Sequence, residues 1–289
     1  MYVLGESASM SLSAVIRKDF HDSIRSFSLV SATSVFVVFA VGLAAIQWIP
    51  VMYRDSAVAT STLALLNSMR QPTVFMIPLI GLVLAYDTIA GERESGTLRL
   101  LLGLPNSRAQ VIVGKCIGRT GVITVSILVG YALAGAVALL TYESFDAVVF
   151  GLYTLLTIIY GAVYVAFATG FSAAMRSKQR AFVGAGALYT LFLIGWDVLL
   201  LGLQLAIYGQ NIPEAGLPDW FKFLGLLNPS TAFMHAVKAV IPEYSAITFY
   251  PEGSAYYLQD WVGFVILLGW AALPLGLGYL RFERIDIQD

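Results

Sequence analysis

The sequence predicts an all-α integral membrane protein, and three observations carry that reading. Hydrophobic residues make up 58% of the 289 and charged ones only 12%, about half the share of a soluble domain. Six apolar stretches approach or exceed the roughly 20 residues that cross a bilayer. Lys and Arg gather in alternate connecting segments, thirteen on one side of the six stretches and four on the other.

The same composition excludes several classes. A net charge of −1 gives nucleic acid no electrostatic reason to bind. One cysteine, Cys116, cannot close an intrachain disulfide, and His21 and His235 lie too far apart for a metal motif, so no metal site is expected. The first apolar run, Phe27 to Ile49, exceeds a signal-peptide core and reads as an uncleaved span.

In chain order, residues 11–26 come first. Leu12, Val15, Ile16, Phe20 and Ile24 share one helical face, with Arg17, Lys18, Asp19, His21, Asp22 and Arg25 opposite. Such a helix lies in the membrane interface or docks on another protein. The spans follow at about 27–49, 72–91, 118–141, 147–174, 181–207 and 261–280, in a single domain covering 1–289. The second contains Pro78 and Asp87, and the fifth contains Asp197. With the N-terminus inside, the basic segments face the cytoplasm, as do both termini. Outside, residues 50–71 allow a short helix over 57–69, and 142–146 form a tight turn. Residues 208–260 make a long loop with amphipathic helices near 218–229 and 232–240 and aromatic residues suited to headgroup depth. That loop is a lid at an exit or simply interfacial packing.

The densest charge and helix punctuation fall between spans two and three. Ser95 is a candidate N-cap, Gly103 and Pro105 candidate stops, and Leu98, Leu101 and Leu102 form an apolar ridge between them. A two-turn helix is unstable alone, so the ridge needs a groove, with Glu92, Arg93 and Glu94 to orient it. Asn106 and Ser107 then cap a helix from Arg108 to Thr141, about 50 Å long against a hydrocarbon core of about 30 Å. Its first turns, carrying Arg108, Lys115 and Arg119, project beyond the membrane as a lever, and Gly114 and Gly118 allow a close neighbour.

Other residues carry less. Gly114-Lys115 lacks the glycines and the Ser or Thr of a phosphate-binding loop, which leaves Lys115 as a juxtamembrane cation. No Ser/His/Asp or Cys/His grouping supports hydrolysis. Asp87 anchors the loop, Met52, Met69, Met76 and Met234 are core filler, and His21 and His235 are solvated or interfacial. Asp197 is either a transport-pathway carboxylate or a residue that reaches water at the outer interface.

The run from Asp87 to Lys115, with Glu92, Glu94, Gly96, Thr97, Leu101, Leu102, Pro105, Arg108, Gly114 and Lys115, resembles the cytoplasmic signature of the type 2 ABC transporter permease family. The amphipathic N-terminal helix, the six spans and Leu227-Asn228-Pro229 are similar too. The long last outer loop is similar to that of members serving copper-centre maturation in nitrous oxide reductase. The resemblance implies a multi-pass permease of a prokaryotic inner membrane that dimerises, binds two copies of an ATPase subunit and exports its substrate. Glu92, Arg93, Glu94, Gly96, Thr97, Leu98, Arg99, Leu101, Leu102, Pro105 and Arg108 would then couple to the ATPase, and Arg17, Lys18, Asp19 and Phe20 would touch it. The permease would bind no cofactor and catalyse nothing by itself, with ATP and Mg²⁺ held by the partner. Two other classes stay open: a secondary transporter driven through carboxylates such as Asp197, and a membrane anchor or assembly factor.

Overall fold

A computed structural model describes residues 6–45, 61–103, 107–209, 216–244 and 255–284. These residues form twelve α-helices and contain no strand. Helix α1 is Glu6–Ile24, α2 Phe27–Ala44, α3 Thr62–Ala85, α4 Ala90–Glu94, α5 Thr97–Gly103 and α6 Arg108–Thr141. Then come α7 Ala147–Ala174, α8 Lys178–Thr190, a π-helical turn Leu191–Gly195, α9 Trp196–Tyr208, α10 Asp219–Leu226, α11 Pro229–Val240 and α12 Val262–Arg284.

Five helical runs are long and apolar enough to cross a membrane: Thr62–Glu94, Arg108–Thr141, Ala147–Ala174, Lys178–Tyr208 and Val262–Arg284. The span expected at 27–49 is the shorter α2, and residues 46–49 lie outside the described ones. The second expected span needs correction. It begins at Thr62 rather than 72 and absorbs part of the separate helix expected over 57–69. Ser61 caps it, with its hydroxyl accepting from Ala64 N at 3.3 Å. Pro72 and Pro78 sit inside without ending it. Nearby, the Ser68 hydroxyl donates to Leu65 O and the Thr73 hydroxyl to Met69 O.

Helix α7 is the centre, packed by α12, α3 and α6. It meets α12 where Gly170 and Gly278 bring two backbones into direct contact, which any side chain would prevent. The surrounding core is aromatic and fully buried, with Tyr131, Tyr153, Tyr160, Phe36 and Phe233 at its heart. Their hydroxyls are satisfied internally, Tyr131 with Thr73 at 2.6 Å and Tyr160 with Ser230 at 2.8 Å.

The long loop is less superficial than expected. Helix α11 is buried from Ala232 to Val237 rather than half-sunk at a surface, and Phe233 stacks on Tyr160 at 4.4 Å. His235, expected to be solvated or interfacial, is 7% exposed and its Nδ1 lies 2.8 Å from Asp260. Asn228 of the Leu-Asn-Pro triplet caps α11 by accepting from Ser230 N and donates its Nδ2–H to Phe192 O at 2.8 Å. A π turn displaces a carbonyl from its regular partner, and Asn228 supplies the donor.

Candidate functional site

The charged segment and the helix ends around it form one assembly. Three long helices finish there, and each gives its last carbonyls to an arginine from the stretch between residues 93 and 119. Arg119 donates to Leu84 O of α3 at 2.5 Å. Arg93 donates to Met175 O and Ala173 O at the end of α7. Arg108 donates to Phe282 O and Glu283 O at the end of α12. A helix C-terminus carries unsatisfied carbonyls and partial negative charge, and a guanidinium answers both. Arg93 and Arg108 also lie over the Phe282 ring, at 5.5 and 5.4 Å from its centroid.

A second layer of charge joins α1 to this end. Lys115, 4% exposed, contacts Asp19 at 3.2 Å and Glu92 at 2.8 Å, and Arg119 contacts Asp19 at 3.0 Å. Asp19 is thus on the buried face of α1, not the solvated face its neighbours suggested. The reason lies in α6, where Gly114 receives Val15 and Gly118 receives Asp19, close enough for the two cations to reach the carboxylate. Phe20 lies over Gly121, while Arg17 and Lys18 stay exposed. Lys115 and Arg119 are the inner cations of this pair of helices. The small-residue spacing of Gly114 and Gly118, next to Lys115 and Arg119, was the signal that could have revealed it.

The loop itself is two short helices hinged at Gly96, whose φ of 77° suits glycine. Ser95 is the C-cap of α4, not the N-cap of α5, and its hydroxyl bonds to Thr97 at 2.9 Å. Ser172 opens α4 by accepting from Ile89 N and Ala90 N, each at 3.1 Å. Glu94 accepts from Lys178 N at 2.8 Å, and the Lys178 ammonium pairs with Asp87 at 3.1 Å, confirming Asp87 as an anchor.

The leucine ridge finds its groove within the chain, which corrects the expectation of an external one. Leu98 and Leu101 are buried with Val15, Ile89, Val111, Ile112, Ala173 and Phe282, and Leu102 packs against them. The face left outward is Glu94, Ser95, Arg99 and Leu100, the last 76% exposed. Leu100, absent from the sequence-based set, is the apolar residue this small helix offers to its surroundings. Pro105 lies outside the described residues. Asp197 is not brought to this assembly; it sits exposed on α9 and makes no hydrogen bond or ion pair among the described residues.

The sequence profile described as "ABC-2 family transporter protein" matches residues 13–287. The probable ABC transporter permease protein NosY of Stutzerimonas stutzeri is 31% identical over 275 residues, 93% of this chain and 97% of that protein. The NosY of Pseudomonas aeruginosa is 28% identical, over 94% of this chain and 98% of its own length. The probable multidrug ABC transporter permease YbhR of Escherichia coli K12 is 27% identical over 58% of this chain and 41% of its own length.

Proposed function

This chain belongs to the ABC-2 transporter family, and from that premise we propose that it is a permease subunit driven by a separate ATPase through the α4–α5 segment. As a multi-pass membrane subunit of an ABC transporter it needs a source of energy. The Gly114-Lys115 pair is used for helix packing and ion pairing, and ATP and Mg²⁺ are assigned to the partner. Two permease copies and two ATPase copies make the working complex. Both termini and the arginine-capped end face the cytoplasm, in line with the excess of Lys and Arg on that side. Transport runs outward, following the family resemblance.

The observation that carries this reading is the trio of arginine caps. Residues 93 to 119 hold the ends of α3, α7 and α12, so a push on α5 reaches three long helices as well as α6. The exposed Arg99 and Leu100 receive the push, and Leu98 and Leu101, lodged in the bundle, pass it inward. Helix α6 begins at the loop with a capping box of Ser107 and Gln110 and continues unbroken for 34 residues, stiff enough to tilt as one piece. Asp197 faces outward from α9, where a second copy or the pathway between copies would meet it.

The test uses the permease co-expressed with its ATPase and reconstituted in lipid. Leu100→Asp should leave the permease folded while abolishing ATP-dependent transport and weakening ATPase association. Full transport by that variant, or a purified permease that binds no ATPase, would overturn the assignment.

A further inference from the structure

We propose that the π turn Leu191–Gly195 is a hinge: α8 follows the α4 segment, α9 is held by the α10–α11 hairpin, and Asn228 sets the bend between them. The two halves of this run are fastened to different parts of the molecule. Helix α8 is tied to α3 and α4, where the functional reading above places the push of the ATPase. Glu94 accepts from Lys178 N at 2.8 Å, and the Lys178 ammonium pairs with Asp87 at 3.1 Å. Phe182 meets the Tyr86 ring edge to face at 5.4 Å, and Tyr189, just before the turn, donates its hydroxyl to Phe75 O at 3.1 Å. Helix α9 is joined instead to the hairpin, the Trp196 indole N–H donating to Leu224 O at 3.0 Å. That hairpin is itself fixed to the bundle. Trp270 of α12 donates to Leu227 O at 2.9 Å, Ser230 bonds to Tyr160 of α7 at 2.8 Å, and Gly263 of α12 lies directly against the Ala232 carbonyl.

The change of attachment falls at the π turn. There the Trp196 N–H reaches back five residues to Leu191 O rather than four to Phe192 O. Phe192 O is thereby freed from its regular partner, and the buried Asn228 gives it an Nδ2–H at 2.8 Å. A buried carbonyl left without a donor is costly, so this bond favours one bend over the others that the turn permits. Single π turns inside α-helices are local breaks in the regular ladder of bonds and recur at functional sites. Little else resists: from Leu191 to Tyr208 only Phe192 and Leu200 are buried. A shift of α4 therefore carries α8 with it and is taken up at Leu191–Gly195, while α9 stays with the hairpin. Asn228 acts through Phe192 O and is a positioning residue.

The experiment measures distances between spin labels on full-length Cys116→Ser permease in lipid nanodiscs. The labels go on exposed positions: Val183 with Leu205 across the turn, Leu79 with Val183 on the α3–α8 side, and Leu205 with Trp220 on the α9–α10 side. Asn228→Ser keeps an oxygen at the cap of α11 and removes the amide that reaches Phe192 O. It should raise the population of altered bends seen across the turn about fivefold, the scale of one lost hydrogen bond, and leave the other two pairs unchanged. A steady distance across the turn, or equal broadening of all three pairs, would overturn the proposal.

Trp196→Phe keeps an aromatic ring and removes the N–H that holds α9 to α10. It should loosen the α9–α10 pair and the pair across the turn but not the α3–α8 pair. Should Asn228→Ser fail to fold, this variant decides, and a steady distance across the turn overturns the hinge. With ATPase bound and ATP added, the permease with Asn228 intact should show a shift across the turn and none within either side. Transport without that shift overturns the hinge and leaves the functional reading standing. Should the permease bind no ATPase, the functional reading fails, and the measurements without ATPase decide the hinge by themselves.

Discussion

Two helical runs of similar length meet opposite surroundings. Helix α6, with 34 residues, is gripped along its first turns by α1, α5 and three ion pairs, and its buried stripe continues to Ala138. The α8–α9 run, with 31 residues, buries only Ala181, Ala185, Phe192 and Leu200 and turns Phe182, Val183, Ile194, Val198 and Leu199 outward. One is uninterrupted α-helix, while the other is broken by a π turn at Leu191–Gly195. Stiffness is concentrated where force would enter, and slack where lipid or a second copy would lie. The difference shows that hydropathy alone does not rank the spans; what matters is what their small and charged residues touch.

The comparison breaks most severely at Lys115. Lys115→Met takes the cation from Glu92 and leaves Asp19 with Arg119 alone, and a loss of about 3 kcal/mol, the lower end for a broken buried pair, is expected, read as a lower thermal midpoint in detergent. Adding Glu92→Gln, which removes the carboxylate left without its cation, should restore part of it. Stability equal to wild type would show that α1 is not held by charge.

Next is steric. Gly114→Val drives a side chain into Val15, whose nearest atom would lie 2.7 Å from the new Cβ, and should cost about 1–3 kcal/mol and expose α1 to protease. The matched change Gly186→Ala on α8 meets nothing within 4 Å and should stabilise by up to about 1 kcal/mol. Equal effects at the two sites would erase the distinction between gripped and free.

Arg108→Ala removes the donor to Phe282 O and Glu283 O, and about 1.5–3 kcal/mol is the ordinary scale for hydrogen bonds to a charged group. Part of the site is open, so the lower end is expected, with faster amide exchange confined to the last turn of α12.

The smallest effect sits at the opposite end of the bundle. Burial pushes the His235 imidazole below its ordinary value, and Asp260 opposes that shift without cancelling it. The unfolded chain then binds the proton more readily, so stability is full above the unfolded value near 6.5 and declines as pH falls from there through the lower folded value. Thermal midpoints between pH 7.5 and 5.5 should fall slightly, and less so in His235→Gln.

Much of this was legible in the residues. Ser107 before Arg108 marked the start of α6, and its unbroken apolar run carried the helix to Thr141. The turn expected over 142–146 ends at Asp146, which caps the next helix by accepting from Val148 N and Val149 N. Gly114 and Gly118 foretold a close neighbour without naming α1. What stayed hidden were pairings across long separations. The periodicity of α1 puts Asp19 among Arg17, Lys18 and Asp22, and only Lys115 and Arg119 make its inward position tolerable. The leucine ridge was read correctly as needing a groove, yet nothing local says that Val15, Ala173 and Phe282 supply it. The second span was expected to start at about 72 because a sequence does not display the neighbouring helices along which α3 runs from Thr62.

The union of α1 with α6 has a consequence for how the polypeptide is made. Asp19 leaves the ribosome 96 residues before Lys115, so its charge waits without a counterion while two spans are threaded into the bilayer. Until the third arrives, the first helix lacks the surface it packs on, and chains halted before residue 115 should keep it open to protease. Only when α6 is in place does α1 acquire its seat, which makes an early-synthesised helix among the late ones to find its partner.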